Sequence, residues 1–173
     1  MYDVSNHDGF IDAYRPIRTE MERFALFLER NRDAAADLLH DALESALKAW
    51  KRIDDTNALR AYLVAAMIRL HRRGKQRNAR WEGADMESLS APAGTSADVA
   101  TDMRLLRDAI ADLPDDQRVA FVLAEVEGWP IADIAQVLGI GASAVKMRVK
   151  RGRDRLREVL TDPHTTPEEV RHA

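Results

Sequence analysis

At 173 residues the chain has room for one ordinary domain or two small ones, and a hydrophobic fraction of 46% supplies enough apolar material for real cores. The absence of cysteine excludes disulfides, thiolate nucleophiles and cysteine-ligated zinc, and the five histidines are scattered without a paired ligand spacing. A net charge of −3 argues at first sight against a nucleic-acid binder, but the charges are unevenly distributed.

Helical periodicity runs through most of the chain and no alternating strand pattern interrupts it, so the expected fold class is all-α, two small helical domains joined by a flexible linker. Tyr14, Ile17, Met21, Phe24 and Leu28 form the first apolar stripe. Leu39, Leu43, Ala46, Trp50 and Ile53 form the second, and Leu59, Leu63, Ala66 and Leu70 the third. Asn31 or Asp33 is placed to cap the second helix, and Thr56 or Asn57 the third. Residues 1–75 therefore read as one bundle. From Arg69 to Arg80 come Arg69, Arg72, Arg73, Lys75, Arg77 and Arg80 with no acid among them.

The stretch GADMESLSAPAGTSA is rich in small residues and proline, which makes 76–97 the expected linker. Order resumes over 98–162. Val99, Met103, Leu106, Ile110 and Leu113 make one stripe, with Thr95 or Ser96 as its cap. Pro114 opens a helix carrying Val119, Val122, Leu123 and Val126, and two further helices cover Ile131 to Leu138 and Ala142 to about Leu160. The tail, 163–173, holds Pro163 and Pro167 and is expected to fray.

The last two helices carry the most specific signal. Ala135 is small enough for a close helix crossing, Gly139 suits a positive φ at the turn, and Ile140 can fill the crevice beneath it. Val145, Val149, Gly152 and Leu156 share a narrow inward arc. Lys146, Met147, Lys150, Arg151, Arg153 and Arg157 are left outward, and Arg148 and Arg155 add to the same basic run. Its seven cations face only Asp154 and Glu158. This is a helix-turn-helix whose second helix fits the DNA major groove, base edges being read by its N-terminal half. Such a unit serves equally in a repressor or a response-regulator output domain.

Residues 113–160 resemble region 4 of extracytoplasmic-function sigma factors. The likeness runs from Leu113, Pro114, Gln117 and Arg118 through Glu127 and Gly128 to Ile134, Ala135, Leu138, Gly139, Val145, Lys146 and Arg148. The N-terminal half resembles region 2 more loosely, through Asp37, Leu38 and Asp41 and through Ala61, Tyr62 and Leu63. Independently of any family, Asp37, His40, Asp41 and Glu44 fall on the helix face opposite Leu39, Leu43 and Trp50.

The resemblance implies that the Asp37–Glu44 face docks on the β′ coiled coil of RNA polymerase core and that the C-terminal domain sits on the β flap. It further implies that the basic last helix reads the minus-thirty-five element of promoter DNA, while Arg69, Arg72 and Arg73 hold strands near the start site. Family members are commonly held by an anti-sigma factor, which the linker would let wrap both domains. Departures fall in the minus-ten half: His40 replaces a usual glutamine, Arg69 and Arg73 stand where asparagine and aspartate are common, and the loop from Asp54 to Asn57 is short. Pro130 stands at a usual hydroxyl cap, with Asp133 available to favour the helix start. Trp81 and Tyr62 are the nearby aromatics for stacking bases, although Tyr62 lies close to Leu59 and Leu63 and reads first as packing.

Two other readings stay open. One is a sigma-like decoy that sequesters an anti-sigma factor, motivated by those departures and the acidic total. The other is a stand-alone helix-turn-helix regulator, although no heptad seam marks a dimer. With no nucleophile elbow, phosphate-cradling loop or metal-ligand cluster, neither catalysis, a cofactor nor a metal is expected. No stretch of about 18 apolar residues and no signal-peptide pattern occurs, so a cytoplasmic protein without membrane insertion is expected.

Overall fold

A computed structural model describes the backbone of residues 4–53, 55–79 and 97–161 and the side chains of 8–53, 55–77 and 104–161. The described residues form helices and turns, with no strand among them, and none of these helices is long and apolar enough to cross a membrane. The chain divides into two compact units between Glu87 and Ser88.

The first unit holds α1 (Val4–Tyr14), α2 (Arg18–Glu29), α3 (Arg32–Ala49) and α4 (Thr56–Ala79). The first apolar stripe was expected to open one helix at Tyr14. Instead a separate helix precedes it, and a 3-10 turn, Arg15–Ile17, intervenes where Pro16 has no amide proton to give. Phe10 of α1 then meets the Trp50 ring edge-on, 5.3 Å between centroids. Between α2 and α3, Arg30 takes a left-handed conformation (φ 56°). Asn31 caps α3, its side-chain oxygen accepting from the amides of Asp33 (2.8 Å) and Ala34 (3.2 Å).

The cap of α4 is Asp55, whose carboxylate accepts from the Ala58 amide at 2.8 Å, rather than Thr56 or Asn57. This helix also continues past Gly74 to Ala79, beyond the position where the linker was expected to begin. A single glycine among good helix formers costs about 1 kcal/mol, which weakens a helix without ending it.

Met21, Phe24, Leu28, Leu38, Leu39, Ala42, Ala46, Leu59, Leu63, Val64 and Met67 make the core of this unit. Each large side chain buried there contributes about 1.5–3 kcal/mol. Polar ties stitch the same helices together. Glu20 of α2 accepts twice from Arg60 of α4, at 2.7 and 2.9 Å, and buried His71 of α4 meets Glu29 of α2 at 2.7 Å.

The second unit holds α5 (Ala97–Asp112), α6 (Asp115–Phe121), α7 (Ile131–Leu138) and α8 (Ala142–Thr161). Thr95, Ser96 and the tail lie outside the described residues. Pro114 is the cap rather than the first residue of α6: with ψ 140° its carbonyl accepts from the amides of Gln117 and Arg118. After Phe121 the helix widens into a π turn, Val122–Val126, which inserts an extra residue and rotates the side chains at its far end. Val119, Val122 and Leu123 are buried as expected, whereas Val126, the last residue of the π turn, is 36% exposed. Arg118 is only 3% exposed. It donates to the Ala111 carbonyl (2.8 Å) and to Asp115 (2.6 Å), joining the end of α5 to the start of α6.

Candidate nucleic-acid interface

The turn between α7 and α8 is built as its residues suggest. Pro130 caps α7 through its carbonyl, which the Asp133 and Ile134 amides reach, and Asp133 sits in the first turn where the helix dipole favours an acid. Gly139 ends α7 at φ 65°, and Ile140, half-buried, donates its amide to the Ala135 carbonyl at 3.1 Å. Val145, Val149, Gly152 and Leu156 are all buried, so α8 presents the inward arc its sequence indicates.

Ala135 is half-buried. A close approach lies at Gly152, where a Cβ would stand 3.3 Å from the Phe121 Cβ of α6 and 3.5 Å from a Leu113 methyl, tight enough that a neighbour would have to shift.

Lys146, Met147, Lys150, Arg151, Arg153 and Arg157 are exposed, while Arg148 is half-buried. The structure adds something the sequence did not suggest: the cations are sorted by partner. Arg153 donates to Glu125 at 2.7 Å, and Arg148 faces Asp116 at 3.3 Å. Lys150 donates to Asp154 at 3.0 Å, and Arg157 reaches the same carboxylate at 3.5 Å. The Lys150 bond, more than any other interaction, holds the Asp154 carboxyl below its ordinary pKa. Lys146, Arg151 and Arg155 make no ion pair among the described residues. The carboxylates Asp116 and Glu125 were missed in the sequence because nothing local pairs them with α8.

In the first unit Asp37, His40, Asp41 and Glu44 line the outer face of α3, all exposed or half-exposed. Glu44 accepts from Lys48 at 2.6 Å, the bond chiefly responsible for lowering its pKa. Leu39, on the other side, is buried, and Leu43 and Trp50 are half-buried. Arg69, Arg72 and Arg73 are exposed on α4, as are Lys75 and Arg77. The Arg69 guanidinium stands 6.0 Å from the centre of the Tyr62 ring, whose hydroxyl shares a 2.9 Å hydrogen bond with the Ser45 hydroxyl of α3. Tyr62 is thus half-buried and tied to its own bundle. Arg80, Trp81 and Asp54 lie outside the described residues. The candidates consequently form three faces: an acidic one on α3, a basic one on α4 and a basic one on α8.

Known proteins share both halves of this arrangement. Sigma-70 region 2 matches residues 10–80 and Sigma-70 region 4 matches residues 103–156. The chain is 28% identical over 156 residues to the RNA polymerase sigma factor CarQ of Myxococcus xanthus, covering 88% of this chain and 90% of CarQ. It is 35% identical over 132 residues to the RNA polymerase sigma-E factor of Streptomyces antibioticus, covering 73% and 70%. It is 29% identical over 152 residues to the ECF RNA polymerase sigma factor SigM of Mycobacterium tuberculosis, covering 88% and 77%. In fold it is similar to the sigma factor RpoE of Bartonella quintana, solved in complex with the anti-sigma factor NepR, with a TM-score of 0.78 at 24% identity over 90% of this chain and 98% of that one. With both regions matched and relatives aligned across each of them, the chain belongs to the extracytoplasmic-function branch of the sigma-70 family of RNA polymerase sigma factors.

Proposed function

We propose that this protein directs promoter-specific transcription initiation as a sigma factor without catalytic activity of its own. The Asp37, His40, Asp41 and Glu44 face of α3 docks on the β′ coiled coil of core polymerase, and the second unit sits on the β flap. The α8 helix then reads the minus-thirty-five element in the major groove, through Lys146, Met147 and Arg151, with Arg148, Lys150, Arg153 and Arg157 along the phosphates. Arg69, Arg72 and Arg73 of α4 hold strands near the start site. The observation that carries this reading is α8 itself: four inward residues buried against its own unit, and a cationic face left in solvent at the end of a glycine-turned helix pair.

Run-off transcription tests it, with purified core polymerase, the full chain and fragments of its own upstream region, beside capture of core on the immobilised protein. Specific transcripts are expected, and Lys150→Glu with Arg151→Glu should remove them while core is still captured. Asp37→Lys with Asp41→Lys should lower core capture at least tenfold, reversing two charges that face solvent. Failure of the wild-type chain to capture core would overturn the proposal. Core capture with no transcript would instead favour the decoy reading, which draws on the net charge of −3 and on the anti-sigma factor bound to the Bartonella relative.

A further inference from the structure

One exposed side chain on α8 is out of keeping with its surroundings. Met147 is 50% exposed, a large apolar group whose exposed neighbours at three and four residues along the helix are Ser143, Ala144, Lys150 and Arg151. At 100° per residue it lies roughly 180° around the helix from the line of Val145, Val149, Gly152 and Leu156, which makes it one of the most outward points of α8. It stands in the second turn, in the half of such a helix that reaches base edges.

Its neighbours carry the right charge for nucleic acid. Lys146 precedes it, and Arg151 lies one turn on at i+4, beside it on the helix surface. Both are exposed, and neither makes an ion pair among the described residues. Arg148, Lys150, Arg153 and Arg157 are engaged by Asp116, Glu125 and Asp154, and Arg155, the other uncommitted cation, lies further along the helix. An exposed thioether flanked by uncommitted cations matches one feature of the major groove, the 5-methyl group of thymine, which is the groove's own apolar contact point.

We infer that Met147 is a specificity-determining residue that packs on the 5-methyl group of one thymine in the promoter element. Arg151, its neighbour, is then placed to reach the O6 and N7 acceptors of a guanine in an adjacent base pair. The inference rests on α8 entering the major groove, and it adds the identity of the base and the atom that is read.

Replacing thymine by deoxyuridine removes that methyl group and leaves base pairing intact, which makes it the direct test. Duplexes bound by the full chain, alone and with core polymerase, are selected from a randomised pool. Each thymine of the selected sequence is then replaced singly, and binding is measured for wild type, Met147→Ala and Met147→Leu. One position is expected at which deoxyuridine weakens wild-type binding about fourfold, the effect of exposing one buried methyl group. Met147→Ala should bind the two duplexes alike there, and Met147→Leu should keep the difference. Alanine at an exposed helical site leaves the fold intact, which a matching melting temperature checks. An identical deoxyuridine response in wild type and Met147→Ala, or a selected sequence without thymine, overturns this inference alone. Selection of no preferred sequence in either condition removes the reading of α8 as a groove reader and this inference with it.

Discussion

The α3 face and the α8 face treat their charges in opposite ways. On α3, Asp37, His40 and Asp41 stand in solvent with no ion pair among the described residues, and only Glu44 is engaged, by Lys48 on its own helix. On α8, Arg148, Lys150, Arg153 and Arg157 each face a carboxylate of the same unit. On the proposed reading of α3 as a docking face, its uncommitted charges stay available to a complementary surface. On the proposed reading of α8 as a DNA face, every uncommitted cation adds sequence-independent, salt-sensitive affinity. Partial compensation on α8 leaves Lys146, Arg151 and Arg155 uncommitted, the first two beside Met147. It also reconciles a net charge of −3 with a DNA-binding role.

Charge reversal gives the largest expected effect and addresses that sorting directly. Lys146→Glu with Arg151→Glu should weaken promoter binding by about a hundredfold or more, because both are uncommitted and a good bidentate base contact is worth about 1–3 kcal/mol. The swap Arg153→Glu with Glu125→Arg keeps the tie between α8 and the π turn while it moves one cation off the phosphates, and should cost far less than that double reversal. Equal losses in a salt-controlled binding assay would break the distinction between committed and uncommitted cations.

Two glycines sharpen the contrast between the units at smaller cost. Gly152→Leu forces a side chain against Phe121 and Leu113, and overpacking of this kind destabilises by about 1–3 kcal/mol. Gly74→Ala meets nothing within 4 Å on α4 and should stabilise the first unit by about 1 kcal/mol. Chemical denaturation of the two variants reads both signs, and a neutral Gly152→Leu would mean that α8 does not lie close on α6.

The smallest effect concerns Asp154. Its folded pKa is lowered chiefly by the Lys150 bond, so that bond's contribution is complete above the ordinary aspartate range and disappears as pH falls through the lower folded value. Carboxyl titration by NMR should find Asp154 below other exposed aspartates, and Lys150→Met should move it back up.

Much of this protein was legible because helical periodicity is local. The inward set Val145, Val149, Gly152 and Leu156, the Asn31 cap, the αL turn at Gly139 and the outward placement of Asp37 to Glu44 all arise from spacings within one or two turns, and each is found in the structure. The Asp55 cap was equally local, since a carboxylate three residues before a helical amide is the usual N-cap geometry, but Thr56 and Asn57 offered competing hydroxyl and amide caps.

Tertiary structure decided what local spacing cannot carry. The π turn at Val122–Val126 has no residue signature, and Val126 at its end is exposed although its spacing put it in the apolar line. Arg118, a cation that sequence would place in water, is buried because the end of α5 and the start of α6 both offer it acceptors. Glu125 lies 28 positions from Arg153 and becomes its partner only when α8 packs beside α6 and its π turn. Periodicity fixes which side of a helix faces inward, because every turn repeats the vote. Which cation meets which carboxylate depends on a single approach of two surfaces, and only the folded chain makes that approach.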